Sequence, residues 1–392
     1  MKTLGALLFS ASLVAVFVAC SGSTAATDNE ASSKKKTKST DDTGTDDTSE
    51  STDDTGTGCS KTTCGKECVD VKTSAKHCGK CNNRCATGVC SAGKCKTGLV
   101  FAVTQAFLGD TDLKGTAGST AWKEFGRNID GKVSTSASTD HCTLVAGAET
   151  TVRDDGTSGI DNSFGHNILP TILTIAGNSY SSTVNDKLTS ADFSILLRLD
   201  GVTAGEDATG VTAAYFGGGS YSKPKYDGTD VWPVTGESIN DGKLSSPKAS
   251  FPNGTYTAGK FDSGAADGEA TLYLPVSESG GLAIPIRKLR VTMDISEDGK
   301  EATNGILSGV IPTAEFLTIF KRDRGFIYKA LCQGTLVNGI ASELEQASDI
   351  MVDGTNASGS TCDGISIGIG FNAAAVNLGE ALAPKPEVDS CE

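Results

Sequence analysis

Residues 289–295 read Leu-Arg-Val-Thr-Met-Asp-Ile, so apolar and polar side chains alternate at every position. Because successive side chains of a β-strand point to opposite faces, this alternation predicts a strand with one face buried. Glycine, of which the chain has 47, separates such runs together with Asp and Asn, as turn residues do. Six further runs predict strands: residues 99–107, Phe193–Leu199, 211–216, Ala270–Val276, Leu282–Ile286 and 304–311.

Helical patterns are fewer. Pro312 and Thr313 precede a helical pattern over 314–331, and weaker patterns cover 167–179 and 338–348. Many short strands with few helices are typical of packed antiparallel sheets. We therefore expect residues 97–392 to form a mainly β, antiparallel β-sandwich-like domain with one or two helices. The Gly- and Pro-rich stretch 217–254 predicts a long loop.

The cysteines fall into two even groups once Cys20 is set aside from the total of 13. Residues 59–96 are too few to bury a stable core and need covalent cross-links, so we expect them to form a disulfide-rich module. The spacing leaves the pairing open, and Cys78 and Cys81 beside His77 leave zinc as an alternative. The cysteines expected in disulfides are Cys59, Cys64, Cys68, Cys78, Cys81, Cys85, Cys90 and Cys95 in the module and Cys142, Cys332, Cys362 and Cys391 beyond it.

The N-terminus has the pattern of an export signal. Lys2 precedes about 16 apolar residues, a stretch shorter than the roughly 20 that a membrane span needs, so residues 1–19 predict a signal peptide. Residues 20–58 are rich in Ser, Thr, Asp and Gly and nearly free of large apolar residues, which predicts a disordered linker.

The segment Phe17-Val18-Ala19-Cys20-Ser21 resembles the lipobox of bacterial lipoproteins. The resemblance implies that Cys20 is acylated and anchors the protein in the cell envelope, where we expect it at the outer membrane. Residues 64–70 and 77–85 resemble the cysteine-rich modules of myxobacterial surface proteins, and segments of the large domain (121–131, 155–165 and 362–371) resemble predicted lipoproteins of the same bacteria. That resemblance implies location and architecture but no activity.

Charge and motifs exclude several function classes. The formal charge of −14 argues against nucleic acid, which requires a basic surface. Only three histidines are present, and neither a Gly-x-Ser-x-Gly elbow nor a His-Glu-x-x-His motif occurs. The Ser220–Lys223 match to Ser-x-x-Lys is too short to carry weight. We expect no enzymatic activity and no resident cofactor, with calcium as the exception considered next.

Asp154, Asp155, Asp161 and Asn162 place four hard oxygen donors close together around Gly156. Calcium prefers six to eight such ligands, so these four residues are the candidate metal ligands. The alternative is that Asp and Asn here bond their own backbone and form turns.

Trp232, Tyr221 and Tyr226 lie in the predicted 217–254 loop and are the candidate ligand-binding residues, since exposed aromatic rings bind sugar faces. Packing of the loop onto its own domain is the alternative. The sequence thus favours a lipid-anchored binding module for a polysaccharide or a protein partner. A structural envelope component without a discrete ligand, or less favoured a secreted hydrolase, remains the alternative.

Overall fold

The computed structural model describes residues 61–176, 180–264, 268–277, 280–327, 329–334, 336–385 and 389–391. All of the described residues belong to one compact unit. The predicted signal peptide, the linker, Cys20 and Cys59 therefore lie outside the described residues. None of the described helices combines the length and the apolar character that crossing a membrane requires.

The secondary structure is mainly β, as predicted, but the described residues contain four α-helices where one or two were expected. The helices are α1 (Leu169–Ala176), α2 (Tyr180–Thr189), α3 (Thr313–Ile327) and α4 (Leu336–Gln346). The strands are β1 (Thr62–Cys64), β2 (Glu67–Val69), β3 (Cys90–Ser91), β4 (Lys94–Cys95), β5 (Gly98–Phe107), β6 (Ser194–Asp200), β7 (Ala208–Gly218), β8 (Val231–Val234), β9 (Ile239–Asn240), β10 (Lys243–Pro247), β11 (Ala249–Thr257), β12 (Lys260–Asp262), β13 (Gly268–Ser277), β14 (Gly280–Ile295), β15 (Glu301–Pro312), β16 (Gly364–Ala375) and β17 (Asn377–Ala381).

Eight antiparallel strands close into a barrel in the order β5, β6, β7, β11, β12, β14, β15, β16. The last of these, β16, pairs back with β5, for example Phe371 with Ala106. The pairing of β7 with β11, in which Ala214 lies opposite Ser250, likewise leaves no open edge in this ring of eight strands. The predicted sandwich is therefore wrong, although the predicted β class and the antiparallel pairing are confirmed.

The alternating side chains fill the barrel. Leu289, Val291, Met293 and Ile295 are each at most 5% exposed, as their alternation in β14 predicts. They join apolar side chains from the other strands, including Phe101 and Val103, in one core. Alternation marks one buried face and is the same in a sandwich and in a barrel, because closure depends on strand tilt and stagger. This is why the sequence pattern favoured the wrong architecture.

Two local predictions are also corrected. The runs 282–286 and 289–295 belong to a single strand, β14, which is kinked between them where the register shifts and Lys288 adopts φ +51°. The stretch 217–254, predicted to be a long loop, contains β8, β9 and β10 and residues 249–254 of β11. Strands β8, β9 and β10 are short, and the buried apolar side chains of β8 and β9 lie in the core outside the barrel. Those of β11 lie in the barrel core.

A second apolar core covers the outer face of β5, β6 and β7. Trp232 and Val234 of β8 and Leu378 of β17 pack there against Leu196 and Phe216. Strand β8 pairs with β7 and, in parallel, with β17, so these two strands extend the sheet beyond the barrel.

The cysteine module packs on this same outer face. The Arg198 guanidinium, 2% exposed, donates hydrogen bonds to the carbonyls of Leu244 (2.7 Å) and Thr87 (3.3 Å). The Arg198 Nε lies 3.0 Å from Asp200 Oδ1, an ion pair not aligned as a hydrogen bond, and Lys96 Nζ lies 3.1 Å from Asp200 Oδ2. Burial of the guanidinium lowers the pKa of Arg198, and Asp200 opposes that shift. A buried ion pair therefore sits beneath the joint between module and barrel.

The described disulfides close within the two groups, as the even counts predict. Three are in the module (Cys64–Cys81, Cys78–Cys90, Cys85–Cys95) and two are in the barrel domain (Cys142–Cys362, Cys332–Cys391). Cys68 is disulfide-bonded as well.

Candidate functional site

A groove of about 500 Å³ runs along the joint between the cysteine module and the barrel domain. Its module wall is formed by residues 73–76, Arg84 and residues 88–90, and its other wall by residues 242–245 and 379–381. Ligand sites occur preferentially at such junctions, because two bodies can present convergent groups that neither could hold alone. We therefore take this groove as the candidate functional site.

The barrel wall is built from a tight hairpin. Asp241 and Gly242 join β9 to β10 with φ values of +52° and +65°, the left-handed pair that Asp-Gly supplies in a two-residue hairpin loop. Lys243 follows the turn directly, and its side chain is 66% exposed. The turn geometry thus sets a flexible cation at the edge of the groove.

The cations of the module wall lie on a backbone held by a disulfide and by hydrogen bonds. Arg84 is flanked by Asn83, whose amide donates to the carbonyl of Cys78 (2.6 Å), and by Cys85, which is disulfide-bonded to Cys95. Lys76 Nζ lies 3.1 Å from Glu67 Oε1, and this hydrogen bond lowers the pKa of the Glu67 carboxyl. The backbone under both cations is therefore fixed before any ligand arrives.

Gly88 allows the two walls to meet. It adopts φ +69°, and a Cβ at this position would lie 2.6 Å from Leu244 Cδ1 and 3.2 Å from Leu378 Cβ. The neighbouring carbonyl of Ala86 accepts a hydrogen bond of 2.8 Å from the Leu378 amide. Only glycine combines this backbone conformation with so close an approach.

The groove is cationic in an acidic protein. Lys76, Arg84 and Lys243 line it against a single carboxylate, Glu380, whereas the chain as a whole carries −14. Within the described part of the chain, Arg84 makes no hydrogen bond and no ion pair. Sequence reasoning did not single out any of these four residues, because they are far apart in the chain and no motif links them.

A second cavity, of about 410 Å³, lies elsewhere and is electrostatically satisfied. Its Arg287 pairs with Glu269 (3.1 Å) and with Glu315 (3.0 Å). The Asp363 carboxylate accepts a hydrogen bond from the Val352 amide. Its charges are thus largely occupied by protein groups, and the groove at the joint is the better candidate.

The four predicted metal ligands do not form a ligand set. Asn162 uses its amide to bond the backbone of Trp122, Phe125, Gly165 and Gly368. Asp154, Asp155 and Asp161 accept hydrogen bonds from the amides of Ser136, Ser134 and Ile129 respectively. In the described residues no three carboxylate or imidazole groups bring ligand atoms within 4.8 Å of one another. Only Asn162 bonds a nearby amide, that of Gly165, as the turn alternative predicts. The three carboxylates instead accept from amides 18 to 32 residues away and so join separate loops.

The same region nevertheless contains carboxylates with perturbed pKa values. Burial, reinforced by the charges of Asp130 and Asp349, raises the pKa of Asp161 to about 9. Burial also raises the pKa of Asp349 to about 7, against two hydrogen bonds from Ser366, and that of Asp155 to about 6. We call Asp130, Asp155, Asp161 and Asp349 the acid cluster; it lies in the loops over the barrel rather than in the groove.

The structure contradicts the predicted aromatic ligand site. Trp232 is fully buried in the second core, where its Nε1 donates to the carbonyl of Gly219 (2.7 Å). The rings of Tyr221 and Tyr226 pack against it at 5.0 and 6.0 Å. The indole therefore offers no face to a ligand, because the polar stretch around it folds back onto the barrel.

The residues that would support a hydrolase or a zinc site are placed elsewhere. His141 is 5% exposed, and His166 stacks on Trp122 at 4.1 Å; neither lines the groove or the second cavity. Cys78, Cys85 and Cys95 do cluster, but each is committed to a disulfide. Disulfide sulfurs lack the thiolate charge that binds zinc, so the disulfide interpretation replaces the zinc alternative.

Comparison with known proteins identifies no relative: no family model, no curated protein and no solved structure matches this chain.

Proposed function

We propose that this protein is a bacterial cell-envelope lipoprotein that binds a polysaccharide in the groove between its cysteine module and its barrel. Cys20 would carry the lipid, and residues 20–58 would form the tether that holds the folded part away from the membrane. The observation that carries the binding function is the groove itself, in which Arg84 has no partner among the described residues. Arg84 is half-buried, and a guanidinium without a described counter-ion is a group whose hydrogen-bond donors a ligand can satisfy.

Binding is tested with a glycan array probed by the full chain, solubilised in detergent, with calcium and again with EDTA. We expect selective binding that EDTA does not abolish, because the candidate calcium ligands are occupied by backbone amides. Binding that requires calcium would contradict this account of the site. An array without any signal would contradict the binding function and favour a structural envelope component.

The anchor is tested separately. Replacing Cys20 with Ser removes the sulfur that would be acylated, so we expect the Cys20→Ser protein to leave the membrane fraction for the soluble fraction. Cell fractionation and immunoblotting measure this, with Thr24→Ala as a control that should stay membrane-bound. A Cys20→Ser protein that still sediments with membranes would contradict the lipoprotein proposal.

A further inference from the structure

The cations of the groove differ in how far the protein already neutralises them. Lys76 Nζ lies 3.1 Å from Glu67 Oε1. Lys243 Nζ comes no closer than 4.0 Å to Asp241 Oδ2, and the side chains of Lys243 and Asp241 are largely exposed, so this pair is weak. Arg84 has no described partner. Arg84 is therefore the strongest free electrostatic feature of the groove, supported by two cations that a ligand can recruit.

The lining also constrains what the ligand is. None of the fifteen lining residues is aromatic, and the apolar ones are small or aliphatic, with Leu244 the largest. Protein interfaces depend on aromatic and apolar anchors in pockets, so this groove is poorly suited to a peptide. A neutral sugar would find no ring on which to stack. Charge-assisted hydrogen bonds are what remains to supply affinity.

A single carboxylate limits how much negative charge of a ligand the groove accepts. Gly242 is exposed at the edge of the groove, whereas Gly379 is buried against Trp232 and Gly88 packs on Leu244. Glu380 would repel a second anionic group beside it but would accept hydrogen bonds from hydroxyl groups. The groove thus suits a chain in which hydroxyl groups separate the carboxylates.

We infer that the groove binds a carboxylated polysaccharide, with Arg84 forming the bidentate contact to a sugar carboxylate. Arginine matches the two oxygens of a carboxylate with two parallel N–H groups, which a lysine at the same place could not do. This inference rests on the proposed function and names its ligand class. Disulfides and the buried Arg198 bonds hold both walls in place, so little ordering opposes binding.

The test compares two polymers with the same backbone. Polygalacturonate carries a carboxylate on each sugar, and its fully methyl-esterified form is neutral. We expect the full-length protein to bind polygalacturonate, and both esterification and Arg84→Ala to weaken binding about tenfold or more, as loss of a hydrogen bond to a charged group does. Binding should weaken further in about 1 M salt, where the screening length falls to about 3 Å.

Matched variants distinguish binding in the groove from a general effect of the protein's charge. Lys66→Ala removes the same charge from the same module outside the groove lining and should leave the affinity unchanged. Glu380→Gln should strengthen binding several-fold by removing the repelling charge. Arg84 makes no hydrogen bond or ion pair with the described residues, so Arg84→Ala should unfold close to the wild-type temperature, which would show that any lost binding is not lost folding.

The outcomes distinguish the inference from the function on which it rests. Equal binding of the esterified polymer would overturn the carboxylate inference and leave the polysaccharide function intact. Binding of poly-aspartate as tight as that of polygalacturonate would overturn the polysaccharide specificity in favour of acidic peptides. If no polysaccharide binds at all, the proposed function and the inference both fall.

Discussion

Removing the Cys142–Cys362 disulfide should lower the free energy of unfolding by about 5 kcal/mol, because this bond closes a loop of 220 residues. In the chain-entropy account, the bond acts mainly by restricting the unfolded chain, and the restriction grows with loop length. Since whole domains are stable by only about 5–15 kcal/mol, a Cys142→Ala/Cys362→Ala protein should be marginally folded.

The native contacts around this bond add to the effect. Both cysteines are buried, and the amide of Cys142 donates to the Asn356 side chain (2.8 Å). The adjacent Thr143 and Thr361 form a parallel bridge, so the disulfide joins the loops that follow β5 to the segment that leads into β16. Losing the bond would loosen the layer that carries the acid cluster.

Denaturant unfolding of the double variant measures the loss, with Cys85→Ala/Cys95→Ala as the control. That pair spans only 10 residues, and its removal should lower the unfolding free energy by a smaller amount, about 3 kcal/mol. If removing the short module disulfide destabilises the protein as much as removing the long one, loop length does not set the effect.

The protein should lose stability as the pH rises from 7 to 9, because of Asp161. Its pKa in the folded protein is raised to about 9, mainly by burial and also by the charges of Asp130 and Asp349. Unfolded, the same carboxyl ionises near 4, so between these values the folded state holds a proton that the unfolded state has released. Stability therefore falls with pH, by up to about 1.4 kcal/mol per pH unit, until the pKa of about 9 is passed.

Between pH 7 and 9, Asp161 makes the largest contribution of the three carboxylates to the pH dependence of stability. Asp155 and Asp349, whose pKa values are raised to about 6 and about 7, have completed most of their effect below it. The lowered pKa of His166, caused by burial, acts in the opposite direction but only below the ordinary histidine pKa of about 6.5. Arg127, the cation that interacts with Asp161, keeps its charge throughout this range.

Asp161→Asn should abolish most of this pH dependence. The amide keeps an oxygen to accept the Ile129 hydrogen bond but cannot ionise, so its melting temperature should be nearly constant from pH 7 to 9. It should also exceed the wild-type value at pH 9 by several degrees, since about 2 kcal/mol is no longer lost.

Melting curves at pH 7 and pH 9 test this, with Asp241→Asn as the control. Asp241 has an 81% exposed side chain in a left-handed turn that asparagine also adopts, so that variant should keep the wild-type pH dependence. A wild-type melting temperature that does not fall between pH 7 and 9, or an Asp161→Asn protein that falls equally, would contradict the buried-carboxyl account.

Local elements were predicted well because their signals are local. The predicted runs 99–107, 193–199 and 304–311 correspond to β5, β6 and β15, and the predicted helix over 314–331 corresponds to α3 and the 3₁₀ turn that follows it. Three barrel strands, β11, β12 and β16, and helix α2 were not predicted as elements. In β16, Ile365, Ile367, Ile369 and Phe371 alternate with Ser and Gly, residues that are also typical of turns. The small residues are needed because Phe125 packs closely against Gly368 and Gly370.

The candidate sites were predicted less well, because each depends on what packs against a residue. Trp232 lies in a polar stretch that suggests exposure, yet β8 and β17 carry it into the second core. Asp161 and Asn162 have the composition of a metal loop, but nearby backbone amides occupy their oxygens. No sequence pattern states where a neighbouring amide will point.

The sequence alone determined the β class, the positions of five of the eight barrel strands and of three of the four described α-helices, and the division of the described disulfides into two groups, because side-chain periodicity and cysteine counts are properties of the chain itself. The tertiary structure alone decided that the sheet closes through β7 and β11, that Asp161 and Asp349 are buried, and that Arg84 and Lys243 face one groove. These features join residues far apart in the chain, and their energies depend on burial and distance, which exist only after folding.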